Sequence, residues 1–258
     1  QKMLVDIHCH ILPGIDDGAQ TIEDSLKMAR VAVSEGITHI LCTPHHNNGT
    51  YSNKKEDIIR KVAELQEVLD KERIPLTLFE GQEVRLSADV MKRIAQNEIL
   101  FTDLDDSYIL IEFPTLEVPA YAHRALFELC ANGYVPIIVH PERNSQIIKN
   151  PNLMIPFIEM GCLAQVTCGS YMGQFGKEIQ KVAKGMIEAN LVHMIASDAH
   201  NTKGRTFFTQ ASYEKIIKEF GEEKVLAFQQ AAKDIVNGEK VQKIPPSEYK
   251  KKFSLFGR

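Results

Sequence analysis

The sequence contains no long hydrophobic run. None of its apolar stretches approaches the ~20 residues that a helix needs to span a bilayer, and its first residues show no signal-peptide pattern. We therefore expect a cytoplasmic protein without a transmembrane segment. Hydrophobic residues make up 44% of the 258 residues, which is ordinary for a folded globular protein and argues against disorder.

An excess of positive charge is also missing. The chain has 30 lysines and arginines against 34 aspartates and glutamates, which gives a formal net charge of −4. Proteins that bind nucleic acids generally carry a basic surface. General nucleic-acid binding is therefore not expected, although a local positive site remains compatible with this composition.

Cysteine is scarce and lacks the spacing of a disulfide framework. The five cysteines are an odd number, which suits a reducing compartment better than a disulfide scaffold. Cys9, Cys42 and Cys162 lie in or beside apolar runs, so we expect them in the core. No cysteine has an arginine six positions later, which excludes the Cys-x5-Arg loop of thiol-based tyrosine phosphatases. A Gly-x4-Gly-Lys-Ser/Thr nucleotide loop is absent too.

Short apolar segments alternate with longer segments of helical pattern. The predicted strands are 3–8, 38–43, 76–82, 108–112, 135–139, 163–167 and 192–196. The predicted helices are 21–35, 54–72, 87–96, 120–132, 151–160, 176–189, 209–219 and 222–236. Alternation of this kind predicts parallel strands with helices outside them. A closed or nearly closed α/β barrel in one domain is favoured, over about 3–240, and a doubly wound open sheet is the alternative.

Several helix ends carry their own signals. Thr21 and Asp24 have the spacing of a capping box, and Gly36 follows the same helix as a predicted C-terminal cap. At the other end of the chain, residues 245–258 form a basic and aromatic tail. We expect a solvated or loosely packed end there, with a membrane or partner contact as the less favoured interpretation.

Six of the seven predicted strands end in side chains that bind metals. The first segment, DIHCHILPGIDDG, could be a polar turn, but turn chemistry explains its glycines and proline and not its two histidines. The residues concerned are His8 and His10, His45 and His46, Glu83, Glu112, His140, and Asp198 and His200. In a parallel barrel these strand ends lie on one face. Imidazoles and carboxylates that converge in this way predict a polynuclear metal site.

These motifs resemble the polymerase and histidinol phosphatase (PHP) superfamily. The motifs are His8-x-His10, Asp17-Gly18, Thr43-Pro44-His45, Gly81-x-Glu83, Ile111-Glu112-Phe113-Pro114, His140-Pro141-Glu142-Arg143 and Ser197-Asp198-Ala199-His200. Within the superfamily, the chain is most similar to the manganese-dependent protein-tyrosine phosphatases of bacterial capsule and exopolysaccharide systems. The resemblance covers residues 3 to about 207. It implies a distorted, TIM-like barrel of seven strands, and a phosphatase that reverses autophosphorylation of a bacterial tyrosine kinase with a tyrosine-rich tail.

The resemblance also implies three divalent metal ions. By analogy, the first would be held by His8, His10, Glu83 and Asp198, the second by Glu83, Glu112 and His140, and the third by Asp17, His45 and His200. Asp17 rather than Asp16 is the preferred ligand because it stands next to Gly18. His46 has no matching ligand role and is expected to support the site or be exposed. His39, His123 and His193 are expected to be ordinary packed or surface residues.

The residue chemistry suits hydrolysis of a phosphate ester. Three divalent ions with four carboxylates would give a pocket of about +2, which attracts a phosphate dianion and hydroxide, and bound metal lowers the pKa of water. Arg143 and Arg205 are expected to bind the phosphoryl oxygens, with a surface position as the alternative for each. Mn²⁺ is the expected metal. Fe²⁺, Mg²⁺ and Zn²⁺ accept similar ligands.

Three other functions compete with phosphotyrosine hydrolysis. A small-molecule phosphatase of the histidinol phosphate type is the nearest rival, and a nuclease-like phosphodiesterase is second. A metal-binding regulatory subunit without activity is a third.

Phosphotyrosine suits this site chemically. Its leaving group is a phenol with a pKa of about 10, which departs without strong acid catalysis, and no general acid is evident in the sequence.

Overall fold

Strands and helices alternate along the computed structural model, which describes residues 2–251. The strands are β1 (Val5–Cys9), β2 (His39–Cys42), β3 (His45–His46), β4 (Thr77–Glu80), β5 (Glu83–Arg85), β6 (Tyr108–Glu112), β7 (Val135–Val139), β8 (Leu163–Thr167) and β9 (Met194–Ala196). The α-helices are α1 (Ile22–Ser34), α2 (Lys55–Lys71), α3 (Val90–Ala95), α4 (Ala122–Ala131), α5 (Ser145–Lys149), α6 (Ile155–Met160), α7 (Cys168–Tyr171), α8 (Lys177–Glu188), α9 (Thr209–Phe220) and α10 (Glu222–Asn237). Two 3₁₀ helices span Pro141–Arg143 and Pro151–Met154.

The strands form two parallel sheets. One has the order β1-β2-β4 and the other β3-β5-β6-β7-β8-β9. Within residues 2–251 neither sheet closes on itself, so the strand order does not confirm the predicted closed barrel. The segment after β9 nevertheless meets the end of β1: the His10 amide donates to the Ala199 carbonyl at 2.9 Å, and the Asp198 amide donates to the His8 carbonyl at 2.8 Å.

Two predicted strands are each followed at once by a short strand that belongs to the other sheet. The segment 38–43 contains β2, and after Thr43 and Pro44 the chain enters β3 in the other sheet. The segment 76–82 likewise contains β4, and β5 follows in the other sheet. Proline lacks the amide hydrogen that a sheet ladder requires, which accounts for the interruption at Pro44. The second short strand of each pair carries a predicted ligand, His45 or Glu83.

The predicted helices are present, with differences at some of their ends. Thr21 caps α1, and its capping box with Asp24 is confirmed. The segment 87–96 contains a shorter helix, α3, while 151–160 begins as a 3₁₀ turn before α6. The sequence patterns did not predict α5, α7 or the 3₁₀ turn at Pro141–Arg143, because such short helices carry too little periodicity.

The core lies on both faces of the strands. Every residue of β1, β6 and β8 is buried, as expected for parallel strands covered by helices. The helices bury one side each; α8, for example, buries Val182, Ala183, Met186 and Ile187. Cys9, Cys42 and Cys162 are buried free thiols, so their predicted place in the core is confirmed. None of the helices within residues 2–251 has the length and hydrophobicity of a membrane span.

The described part of the C-terminal tail packs on the helices. The Tyr249 amide donates to Oδ1 of Asn152 at 2.7 Å, and the Ser247 amide donates to the Ala189 carbonyl at 2.9 Å. These contacts differ from the loosely packed end that composition suggested for residues 245–258. The last part of that prediction, residues 252–258, lies outside the described residues.

Candidate metal centre

The structure brings the nine predicted ligands together at the carboxyl ends of the strands. They come from β1 and the turn after it (His8, His10, Asp17), β3 (His45), β5 (Glu83), β6 (Glu112), the residue after β7 (His140) and the segment after β9 (Asp198, His200). Eight of the nine are buried. The exception is Asp17, whose side chain is 48% exposed. The converging strand ends that the sequence predicts are therefore present in the fold.

One group consists of His8, His10, Glu83 and Asp198, whose potential ligand atoms all lie within 4.8 Å of one another. The Nε2 atom of His8 is 2.7 Å from Oε1 of Glu83 and 3.2 Å from Oδ1 of Asp198. The Nε2 atom of His10 is 3.1 Å from the same oxygen of Asp198. These are the four residues that the family resemblance implies for the first ion.

A second group surrounds the other oxygen of Glu83. Its Oε2 atom lies 3.5 Å from Nδ1 of His45 and 3.4 Å from Nε2 of His140. His140 is in turn 3.6 Å from Oε2 of Glu112. Glu83 thus presents one oxygen to each group, an arrangement that suits a bridging carboxylate. The resemblance does not assign His45 to this group, although the geometry brings it here.

A third group contains His10, Asp17, His45 and His200. The Oδ1 atom of Asp17 is 3.3 Å from Nε2 of His45 and 3.2 Å from Nε2 of His200. His45 contacts this group through Nε2 and the second group through Nδ1. Here too the geometry adds a residue, His10, to the set that the resemblance implies.

Five ligand atoms in these groups are buried without a hydrogen-bond partner in the described part of the chain. They are Nδ1 of His45, Oε2 of Glu83, Nε2 of His140, Oδ1 of Asp198 and Nε2 of His200. A buried polar atom without a partner is costly and therefore rare. Nitrogen and carboxylate oxygen donors that point into one shared space would be satisfied by divalent cations. The residues fit bound metal.

Burial and mutual charge change the titration of these groups in the metal-free protein. Burial disfavours the charged form of Glu83, but the positive charges of His45 and His8 outweigh it and hold the pKa of Glu83 well below its usual range. The opposite result is found at Glu112, where burial and the adjacent Glu83 carboxylate raise the pKa to about 8. Burial and the charge of Arg143 lower the pKa of His140 to about 4. The groups therefore ionise as an interacting set.

Three histidines are oriented by contacts behind the ligand groups. The Nδ1 atom of His8 lies 2.7 Å from Oε1 of Gln165, and Nδ1 of His10 lies 2.8 Å from Oδ2 of Asp16. Nδ1 of His200 lies 2.8 Å from the carbonyl oxygen of Asp198. In each case Nε2 is left to face the cluster. Such partners set the tautomer of a metal-binding histidine and the direction of its ring.

Sequence reasoning missed Gln165 and considered Asp16 only as an alternative ligand. Gln165 is the polar residue in the middle of β8, the one predicted strand that ends without a residue of metal-ligand type. Asp16 also accepts a hydrogen bond from the Gly18 amide at 2.9 Å. A Cβ atom at Gly18 would overlap the backbone of His10, so this close turn requires glycine.

Two of the predicted ligands have unusual backbone geometry. His140 has a φ of 35° and Asp198 a φ of 48°, both in the left-handed region that non-glycine residues rarely adopt. His140 directly follows β7, and Asp198 lies two residues beyond the end of β9. Strained conformations of this kind often occur at functional sites.

Arg143 and Arg205 both bind one oxygen of Asp198. The Nη1 atom of Arg143 donates to Oδ2 of Asp198 at 2.7 Å, and Nη2 of Arg205 donates to the same oxygen at 3.0 Å. The other oxygen, Oδ1, faces His8 and His10. The guanidinium groups therefore lie at the edge of the cluster, and a cavity lined by Glu112, His140 and Arg143 opens beside them.

The remaining histidines lie outside the three groups. His46, the second residue of β3, is fully buried and contacts Glu98 through Nε2 at 2.8 Å. Of the two expectations for His46, the exposed position is therefore wrong. His193 accepts a hydrogen bond from the Ala164 amide at 3.0 Å, and His123 stacks on Phe157. His39 contacts Oγ1 of Thr38. These contacts agree with the ordinary packing roles predicted for His39, His123 and His193.

Comparison with known proteins finds relatives over nearly the whole chain. Residues 4–237 match the family described as capsular polysaccharide synthesis, CpsB/CapC. The tyrosine-protein phosphatase YwqE of Bacillus subtilis is 43% identical over 254 residues, which are 98% of this chain and 99% of that protein. The putative tyrosine-protein phosphatase CapC of Staphylococcus aureus is 38% identical over 251 residues, 96% of this chain and 98% of the relative.

A solved structure agrees with this relationship. It comes from work on YwqE of Bacillus subtilis and CpsB of Streptococcus pneumoniae, described as metal-dependent tyrosine phosphatases. The superposition has a TM-score of 0.92 at 43% sequence identity and covers 96% of this chain and all of the other. Because the family match covers residues 4–237 and a relative is 43% identical over 98% of the chain, the chain belongs to the CpsB/CapC capsular polysaccharide synthesis family.

Proposed function

We propose that this chain is a metal-dependent phosphatase that hydrolyses phosphotyrosine in proteins. The observation that carries the proposal is the arrangement at Asp198: one carboxylate oxygen binds Arg143 and Arg205, and the other faces the histidine cluster. Side chains suited to phosphate thus lie directly beside side chains suited to divalent metals. The tyrosine phosphatase names of YwqE and CapC favour phosphotyrosine over the histidinol phosphate and phosphodiester alternatives.

We infer that three divalent ions bind at the cluster. The proposed ligands are His8, His10, Glu83 and Asp198 for the first, Glu83, Glu112 and His140 for the second, and Asp17, His45 and His200 for the third. Support comes from the groups of candidate ligand atoms, from the distances of 3.4 Å and 3.6 Å that join His140 to Glu83 and Glu112, and from the buried atoms without partners in the described part of the chain. When bound, such ions activate water for attack and stabilise charge on phosphoryl oxygens. We propose Mn²⁺ as the metal, although the donor set also suits Fe²⁺, Mg²⁺ and Zn²⁺.

The chain itself supplies the groups that orient the phosphate. Asp198 anchors one N–H of each arginine, and the other N–H groups are the proposed donors to the equatorial phosphoryl oxygens. The Nε atom of Arg205 is buried and has no hydrogen-bond partner among the described residues. Because the guanidinium groups are already held before substrate binds, little ordering is needed when negative charge develops in the transition state.

The proposed physiological substrate is an autophosphorylated bacterial tyrosine kinase with a tyrosine-rich tail, dephosphorylated in the cytoplasm. The family resemblance implies this kinase as the substrate. The description of the family as one of capsular polysaccharide synthesis supports a role in regulating capsule or exopolysaccharide production. A phosphotyrosine side chain is long enough for its phosphate to enter a recessed cluster while the peptide backbone stays outside.

We further infer that the two sheets are parts of one distorted seven-stranded barrel. The hydrogen bonds between β1 and the segment after β9 support this reading, as do the short connections from β2 to β3 and from β4 to β5. Counting each of those pairs as one interrupted strand would give seven strands around a common axis. A barrel of this kind directs its strand ends to a single face.

A substrate comparison tests the function. Protein loaded with Mn²⁺ is assayed on a phosphotyrosine peptide, a phosphoserine peptide, histidinol phosphate and a phosphodiester, before and after alkylation with iodoacetamide. We expect the phosphotyrosine peptide to have the highest kcat/KM and alkylation to leave that value largely intact, since four of the five thiols are buried. Higher kcat/KM on histidinol phosphate or the diester, or loss of activity on alkylation, would refute the proposal.

A further inference from the structure

Phe175 lies against both arginines at the edge of the metal centre. The Cζ atom of Arg143 is 4.7 Å from the centroid of the Phe175 ring, and the Cζ atom of Arg205 is 5.7 Å from the same centroid. Both distances are within the ~6 Å over which an aromatic face attracts a cation. One ring therefore contacts two guanidinium groups that also share one carboxylate oxygen.

The position of the Phe175 ring bears on the repulsion between the two positively charged guanidinium groups. Two like charges that converge on one oxygen repel each other. Asp198 offsets both, while Glu142 and Glu83 add negative charge near Arg143. The face of an aromatic ring attracts cations through its quadrupole and accepts none of their ordinary hydrogen bonds. An additional carboxylate would occupy the guanidinium N–H groups, whereas a ring contacts the guanidinium and leaves those N–H groups available for phosphate.

The ring is itself held in place by α7 and the turn that follows. The Gln174 amide donates to the Gly169 carbonyl at 2.8 Å. A Cβ atom at Gly169 would stand 3.6 Å from Cε2 of Phe175, so the ring packs closely over this glycine. Gly173 and Gly176, on either side, have φ values of 90° and 97°, which permit the tight turn. The ring therefore has a defined position before any substrate binds.

We propose that Phe175 is a positioning residue that keeps Arg143 and Arg205 together on Asp198 and directed at the phosphoryl group. The inference rests on the phosphatase function proposed above and extends it to a residue that no strand-end motif contains. Without the ring, one guanidinium group moves away from Asp198 into solvent, and the two no longer bind the same phosphate.

A fluorination series at position 175 separates attraction from shape. Phenylalanine is replaced by 4-fluoro-, 3,5-difluoro- and 3,4,5-trifluorophenylalanine, and by leucine in F175L, in protein loaded with Mn²⁺. Fluorine withdraws charge from the ring face with little change in size. We expect the kcat/KM for a phosphotyrosine peptide to fall stepwise with each added fluorine, and about tenfold in F175L. Bound manganese should stay at the wild-type ratio.

A second measurement does not depend on turnover. The Kd of inorganic phosphate, obtained by calorimetry with the same proteins, should rise in the same order as kcat/KM falls. The control is Phe127→Leu, since Phe127 is 62% exposed on α4; its phosphate Kd and kcat/KM should match the wild type.

Two results would overturn the inference. One is that kcat/KM and the phosphate Kd do not change across the fluorinated series. The other is that manganese is lost in proportion to activity, which would indicate that the ring has only a structural role. If the wild-type protein failed on phosphotyrosine but its phosphate Kd still followed fluorination, the proposed function would be wrong and the role of Phe175 would stand.

Discussion

The Nδ1 atom of His8 lies 2.7 Å from the Oε1 atom of Gln165, although 157 positions separate the two residues in the chain. An amide oxygen can only accept a hydrogen bond, so this contact places a proton on Nδ1, and the neutral His8 ring then has its lone pair on Nε2. A bare Nε2 is the form of histidine that binds a metal. β8 therefore contributes to the centre by setting the tautomer of a histidine on β1.

Replacing Gln165 with leucine should weaken metal binding. The variant Gln165→Leu keeps a buried side chain of similar size but frees the His8 ring to rotate and to change tautomer. The expected loss of manganese affinity is about 10- to 100-fold, measured by competition with a fluorescent chelator. The matched control is Gln210→Leu at an exposed position of α9. Equal affinities for the variant and the wild type would show that Gln165 does not orient the histidine.

His140→Ala should lose metal and activity together. Nε2 of His140 is buried, has no hydrogen-bond partner within residues 2–251 and lies 3.4 Å from Oε2 of Glu83, so its removal deletes a proposed ligand. We expect fewer manganese ions per chain by plasma mass spectrometry and a parallel fall in turnover. His123→Ala, at an exposed position of α4, is the control and should retain both. A fully metallated His140→Ala protein would remove His140 from the ligand set.

Arg205→Ala should retain its metals and lose turnover. Arg205 binds Asp198 through Oδ2, whereas the cluster uses Oδ1, so removal of the guanidinium leaves the ligand oxygens in place. Loss of a donor to developing phosphoryl charge typically lowers kcat on the order of 10²-fold. Manganese content and kcat are measured on the same preparation, with Arg124→Ala on the exposed side of α4 as the control. Unchanged kcat would exclude Arg205 from catalysis.

Metal binding should release protons near neutral pH. In the metal-free protein, burial and Glu83 raise the pKa of Glu112 to about 8. Despite burial, the Asp16 carboxylate raises the pKa of His10 well above its usual value. Groups with raised pKa values are protonated at pH 7 and must lose those protons to bind a cation. Manganese affinity should therefore rise with pH towards 8 and fall as the pH is lowered.

Calorimetry in two buffers with different ionisation enthalpies measures this release directly. The apparent binding enthalpy at pH 7 should differ between the buffers in proportion to the protons released. At pH 9 the contribution of Glu112 should be smaller, because its carboxyl is then already ionised. Identical enthalpies in both buffers at pH 7 would contradict the proposed ionisation states.

Most strands and the longer helices follow from local pattern. β6, β7 and β8 have the bounds predicted from apolar runs, because a buried parallel strand is hydrophobic on both faces. The strand predicted at 76–82 was incomplete: β5 lies beyond it and belongs to the other sheet. Pairing between strands depends on distant residues, so a local run cannot reveal where the chain passes from one sheet to another.

The candidate ligands were visible in the sequence because their chemical type stands out after an apolar strand. His140 and Asp198 each follow such a strand directly or within two residues. Phe175 and Gln165 carry no such signal. Phenylalanine in a short turn and glutamine within a strand are both common. No motif or spacing in the sequence indicates that Phe175 contacts two arginines or that Gln165 contacts a histidine.

The sequence by itself determined which side chains are available at the strand ends, since strand periodicity and residue type are local properties. It also determined the family, through motifs in a particular order. Only the tertiary structure decided which oxygen of Asp198 the arginines bind, which nitrogen of each histidine faces the cluster, and which ring contacts the guanidinium groups. Those choices depend on distances between residues remote in the chain, and such distances exist only once the strands have packed side by side.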